Sequence, residues 1–246
     1  MVRGFQMFVK CKVKTYPDGT KKAYVYQESY IVGSDDNQQD LSFSEDNRTD
    51  EMIKADKEHS EFMNLMRTRN KIQDYCLSND FDMFWTLTFK NERENDQRAF
   101  NRLSEWLKYM KKKYGKFDYI FIPERHKDGC IHFHGVTGGF NCDLVKASKD
   151  GKEIRHNGHL VYNCANWNYG YSTVTKIRDK RKTASYITKY VTKNLSQDIV
   201  GKGKKKYWSS RGLRLPAIET LEYTPDFLES SVPDYQNERL SIYNLT

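Results

Sequence analysis

The stretch that most constrains this chain runs from Phe121 to Val136, FIPERHKDGCIHFHGV. It reads as strand, turn, strand: an apolar run 119–123, a polar tip Lys127-Asp128-Gly129 with glycine where a hairpin needs positive φ, then Ile131-His132-Phe133-His134. Successive side chains of a strand point to opposite faces, so Ile131 and Phe133 share one face while His132 and His134 project together from the other. Glu124 ends the first strand eight residues before His132, and the turn folds its carboxylate back toward the imidazoles. Two neutral imidazoles and a carboxylate around an open position form a nest for a divalent metal ion. A His-x-His pair by itself also suits a half-wet strand, or a core where backbone carbonyls satisfy it; two further stretches decide between these readings.

The length of 246 residues suits one main domain with a small appendage. We expect a division into residues 1–50 (hairpin and acidic linker), 51–215 (main domain) and 216–246 (acidic tail). The N-terminus lacks the uninterrupted apolar stretch of a signal peptide and no run is long enough to span a bilayer, so the expected location is the cytosol. Five scattered cysteines without a Cys-x-x-Cys pair fit a reducing compartment and argue against a disulfide framework or zinc ribbon. The formal net charge of +8 is unevenly spread: from Gln97 to Leu215 there are 26 Lys and Arg against 9 Asp and Glu, a local excess of +17. A block this one-sided, interleaved with Tyr and Trp, is expected to bind nucleic acid.

Residues 5–32 alternate around Pro17-Asp18-Gly19 and predict a β-hairpin; residues 34–51 are polar, acidic and predict a linker. Helical spacing follows over about 50–76, then a buried strand over 83–89 (MFWTLTF) and a helix over about 97–114, capped by Asn95 or Asp96. With the 121–136 hairpin, this order suits an open, mainly antiparallel sheet backed by helices. Residues 141–170 predict irregular hairpins turning at Asp150-Gly151 and Asn157-Gly158, ahead of a strand over 171–177. His156, His159 and Cys164 match no zinc spacing and are assigned to a surface loop.

The second stretch is a predicted helix over 179–195, DKRKTASYITKYVTKNL, in which Ile187, Val191 and Leu195 form a docking face. Tyr186, Lys189, Tyr190 and Lys193 run along a neighbouring face, a doubled Tyr-x-x-Lys that simple packing does not require. Beyond it Lys204, Lys205, Lys206, Tyr207, Trp208 and Arg211 combine charge with aromatic rings and are expected to track a DNA backbone. Residues 217–246 predict a helix or short turns and a loose tail. No phosphate-binding Gly-rich loop occurs, so no nucleotide is expected.

Strand FWTLTF, then Glu124 with His132-Phe133-His134, then the helix carrying Tyr186-Ile-Thr-Lys-Tyr190-Val-Thr-Lys, in that order over about residues 83–195, resembles the HUH endonucleases. The likeness is closest to phage-type rolling-circle replication initiators with paired tyrosines. That resemblance implies an α+β fold with a five-stranded antiparallel sheet of ferredoxin-like or RRM-like kind. It also implies a manganese or magnesium ion held by His132, His134 and an acidic ligand, matched by Glu124, with His126 a less suitable substitute. The implied activity is nicking of single-stranded DNA or an origin hairpin by tyrosine attack, with a host polymerase and helicase as partners in the bacterial cytoplasm. A transposase or relaxase of a mobile element would share this chemistry. A non-catalytic DNA-binding regulator is the alternative of a different class, and it leaves the histidine pair and the doubled Tyr-x-x-Lys unused.

Overall fold

A computed structural model describes residues 7–32, 49–90, 96–126, 129–193, 205–228 and 230–245. Its strands are β1 (Met7–Thr15), β2 (Lys21–Val32), β3 (Met83–Phe89), β4 (Asp118–Arg125), β5 (Ile131–Gly138), β6 (Leu144–Lys146), β7 (Ser148–Lys149) and β8 (Lys152–Glu153). They continue with β9 (Arg155–His156), β10 (His159–Leu160), β11 (Tyr162–Cys164), β12 (Gly170–Lys176), β13 (Trp208–Ser209), β14 (Ala217–Leu221), β15 (Tyr235–Gln236) and β16 (Leu240–Leu245). The α-helices are α1 (Asp50–Ser78), α2 (Asp96–Tyr114) and α3 (Lys180–Lys193). The chain divides into two units, Met1–Asp56 with Leu215–Thr246, and Lys57–Arg214. Among the described residues no helix is long and apolar enough to cross a membrane.

The first unit is a five-stranded sheet in the order β14-β1-β2-β16-β15. Val9, Cys11 and Val13 alternate inward from β1, and with Ala23, Val25 and Leu228 they bury one face. The sequence predicts a loose tail for residues 217–246, and this is corrected here: β14 pairs with β1 (Cys11↔Leu221) and β16 with β2 (Val25↔Ser241). The physical reason is that a lone two-stranded hairpin is marginal in water, and the C-terminal strands widen its buried face. These segments belong to the N-terminal hairpin's sheet and not to a separate tail.

The second unit is α+β. Its antiparallel sheet has the order β13-β4-β5-β3-β12-β11-β6, seven strands where the resemblance implies five, because three very short strands extend the edges. Alternation sorts the two faces. Trp85, Leu87, Phe121, Ile131 and Phe133 pack under α2 through Phe100, Leu103, Trp106 and Met110. Ile120, Ile122 and Val136 on the opposite face pack under Leu65 and Ile72 of α1 and Ala184, Ile187 and Val191 of α3. Gly135 is dictated by this packing, since a Cβ there would lie 2.3 Å from the Phe121 ring. The turns expected at Asp150-Gly151 and Asn157-Gly158 form with positive φ at all four residues (53°, 76°, 49° and 79°), which matches the twist of the short hairpins they close.

Candidate active site

Three cross-strand rows on the α3 side of the sheet set the site. Register places Glu124 opposite His132, His132 opposite Thr88, and Thr88 opposite Tyr171. The next row is Ile122, His134, Thr86 and Thr173, and the third is Ile120, Val136, Phe84 and Thr175. The sheet face therefore grades from the apolar floor beneath α1 and α3 to a polar patch within two residues along each strand. The hairpin joining β4 to β5 turns with Gly129 at φ 85°, as expected; Lys127 and Asp128 of the expected tip lie outside the described residues.

Glu124 and His134 meet: His134 Nε2 lies 2.6 Å from Glu124 Oε2, and both residues are buried. A carboxylate only accepts, so Nε2 carries the proton, and Nδ1 of the neutral ring accepts from the Thr86 hydroxyl at 3.2 Å. Lys193, from the last turn of α3, donates to the other carboxylate oxygen of Glu124. Burial raises the Glu124 pKa, but the hydrogen bonds from His134 and Lys193 and their charges outweigh burial and hold it at about 2, against an ordinary 4.5.

His132 points Nδ1 at the Thr88 hydroxyl at 3.4 Å and stacks on His126, with ring centres 4.8 Å apart. Thr86 and Thr88 thus orient the two imidazoles by the same contact, and Nε2 is the nitrogen each would offer to a ligand. Sequence reasoning missed this role. The signal was present as two threonines at period 2 in FWTLTF, but their partners follow only from the β3–β5 register. Among the described residues no three His, Cys, Asp or Glu side chains are already gathered as a metal centre. The donor set still suits a hard divalent ion: one carboxylate, and two imidazoles whose Nδ1 atoms are fixed by hydroxyls able to donate as well as accept.

Helix α3 begins where Asp179 accepts from the Lys182 backbone N–H at 2.9 Å, and Leu195 of the predicted span lies outside the described residues. Tyr190 stacks flat on His134, with ring centres 3.8 Å apart at 8°. Its rim meets Tyr186 at 5.3 Å, edge to face, and Tyr186 leans on Phe84 at 5.4 Å. The two phenols differ in environment. Tyr186 is 48% exposed and Tyr190 only 8%. Burial pushes the Tyr190 phenol well above its ordinary range, and a hydrogen bond to Tyr186 and the negative charge of Glu124 add to the shift. Lys189 is exposed beside Tyr186.

The basic stretch beyond α3 is less uniform than its sequence. Lys204 lies outside the described residues. Lys205 sits over the Trp208 ring at 5.2 Å, Lys206 and Tyr207 are partly buried, and Arg211 is exposed. Trp208, expected as a stacking platform for DNA, is corrected to a core residue. It is 5% exposed in β13, pairs with Phe121, packs on Phe100 and Phe133 at 5.0 and 5.3 Å, and donates to Ser104 at 3.1 Å. An indole closing the edge of an aromatic core gains more from burial than it would from solvent.

No curated protein and no solved structure matches the chain. Residues 82–195, which span β3, the Glu124–His134 hairpin and α3, match the model of a family of replication-associated proteins typified by ORF2, and this similarity supports a role in the initiation of DNA replication.

Proposed function

We propose that this chain starts rolling-circle replication by nicking single-stranded DNA through tyrosine attack, and that it later rejoins the strand. The observation that carries the reading is the unbroken contact chain Glu124–His134–Tyr190–Tyr186, which joins the histidine hairpin to both phenols.

An unperturbed phenol has a pKa of about 10, so at pH 7 only about one part in a thousand is phenolate, a deficit of roughly 4 kcal/mol for a nucleophile. Glu124, ionised down to a pH of about 2, is too weak a base to take the phenol proton. Its part is to hold His134 in one tautomer and to place negative charge where a cation belongs. Glu124, His132 and His134 would hold a manganese or magnesium ion, which when bound supplies Lewis-acid stabilisation of charge on the non-bridging phosphate oxygens. The phenol gives up its proton, its oxygen bonds to phosphorus, the bond from phosphorus to the 3′ oxygen breaks, and that oxygen takes a proton. The products are a 5′-phosphotyrosine link and a free 3′ hydroxyl that can prime a polymerase. Lys189, three residues beyond Tyr186, offers an ammonium to the phosphate, while Lys193 neutralises Glu124. One phosphodiester replaces another, so a 3′ hydroxyl attacking the tyrosine link reverses the reaction without a nucleotide.

The test is a denaturant-resistant protein–DNA adduct formed on a labelled single strand with manganese or magnesium. Wild type should form it, and the double variant Tyr186→Phe/Tyr190→Phe should bind the strand but form none. An adduct that persists in the double variant, or that never forms in wild type, overturns the reading.

A further inference from the structure

Beyond the histidines the same sheet face opens into a groove of about 870 Å³ between α3 and the β9–β10 hairpin. Its floor is Phe84, Thr86, Thr173 and Thr175, from the second and third cross-strand rows of the site. Ile154, Val161 and Ile177 add apolar surface. Arg155, Lys176, Arg178, Lys182 and Lys189 bring positive charge to its lining. Among the described residues Asp179 is the only lining carboxylate, and it is engaged by capping α3 and by an ion pair with Lys182 at 3.6 Å. Tyr186 lines the groove, whereas Tyr190 lies outside it beneath His134.

We propose that this groove seats the unpaired nucleotides beside the scissile phosphate and presents that phosphate to Tyr186 before Tyr190. The proposal rests on the nicking reading for its chemistry, but its binding claim stands apart from it. Five cations against one occupied carboxylate select a polyanion. The apolar floor selects the form of that polyanion: unpaired bases have faces to lay on Phe84, Ile154 and Val161, whereas a duplex keeps its base faces stacked inside and would leave that surface wet. Threonine hydroxyls on the floor can meet base edges. The two-histidine hairpin, Arg155–Leu160, thereby acquires a role as the outer wall, held by the rigid Asn157-Gly158 turn and by Arg155 donating to Gly158 at 3.2 Å. Tyr186 comes first because it is the phenol that the groove contains; Tyr190 is reached only when its stack on His134 opens.

The experiment measures binding of fluorescein-labelled oligothymidylate to the full chain across a salt series. The groove variant is Lys176→Glu/Lys182→Glu, and the control is Lys108→Glu/Lys112→Glu on the exposed side of α2, which packs on the other sheet face. Removing two phosphate contacts should flatten the log–log salt slope by about 1.4 and weaken binding by about tenfold or more near 0.1 M salt, with the control within about twofold of wild type. Photo-crosslinking of a 4-thiothymidine oligonucleotide to wild type should label peptides containing residues 154–161 or Tyr186. Equal binding by groove variant and control, or crosslinks confined to residues 205–211, overturns the proposal. An adduct formed by wild type alongside a normal groove variant would sink the groove alone. A groove variant that loses binding while wild type forms no adduct would sink the nicking reading and leave the groove.

Discussion

Replacing Glu124 with Gln keeps the side-chain shape and much of its hydrogen bonding while deleting the charge. The carboxylate sits at about 2 against an ordinary 4.5, and at ~1.36 kcal/mol per pH unit that gap amounts to roughly 3 kcal/mol of folded-state stability. Because the folded-state pKa is depressed, the contribution is fully present above pH 4.5 and is lost as pH falls through 2. Glu124→Gln should therefore be less stable than wild type by up to about 3 kcal/mol at pH 7, and the gap should close between about pH 5 and pH 2. Urea unfolding with a chelator present, followed by tryptophan fluorescence, measures it. Trp85, Trp106, Trp167 and Trp208 are the four tryptophans of the chain and all lie in the Lys57–Arg214 unit, so the signal reports the unit that holds the site. A stability gap of the same size at pH 7 and pH 2 would refute the reasoning, since the difference would then come from shape and not charge.

Thr86→Val and Thr88→Val remove the hydroxyls that orient the imidazoles; each should weaken manganese binding by about 10- to 100-fold in a calorimetric titration while leaving the urea midpoint close to wild type. Trp208→Ala should cost about 3–5 kcal/mol in urea unfolding, with Trp208→Phe costing less, and the salt slope of DNA binding by Trp208→Phe should be unchanged. Changing Lys204, Lys205 and Lys206 together to Gln should flatten that slope by up to about 2 on single strands. An unchanged slope would reduce the three lysines to a solvated tether.

The parts of this protein legible in the sequence are those governed by local periodicity. Alternation in Ile131-His132-Phe133-His134 separates the core-facing residues from the histidines, and the spacing of Ile187 and Val191 orients α3 with its tyrosines toward them. What stayed hidden depends on contacts distant in sequence. Thr86 and Thr88 acquire their partners from a strand more than forty residues away. Trp208 carries the same aromatic and basic neighbours as a DNA-stacking residue, and only the β13–β4 pairing reveals it as core. The C-terminal strands are short and acidic, and β16 makes sense only against β2 at the far end of the chain. The groove escaped notice for the same reason, because Arg155–Leu160 reads as a surface loop until β12 and α3 supply its other sides.

The most direct test of the central claim is mass-spectrometric mapping of the trapped DNA adduct on wild type and on each single Phe variant. The account predicts phosphodeoxynucleotide on Tyr186 in wild type and on Tyr190 in Tyr186→Phe. An adduct on any residue outside α3, or none in wild type, would contradict it.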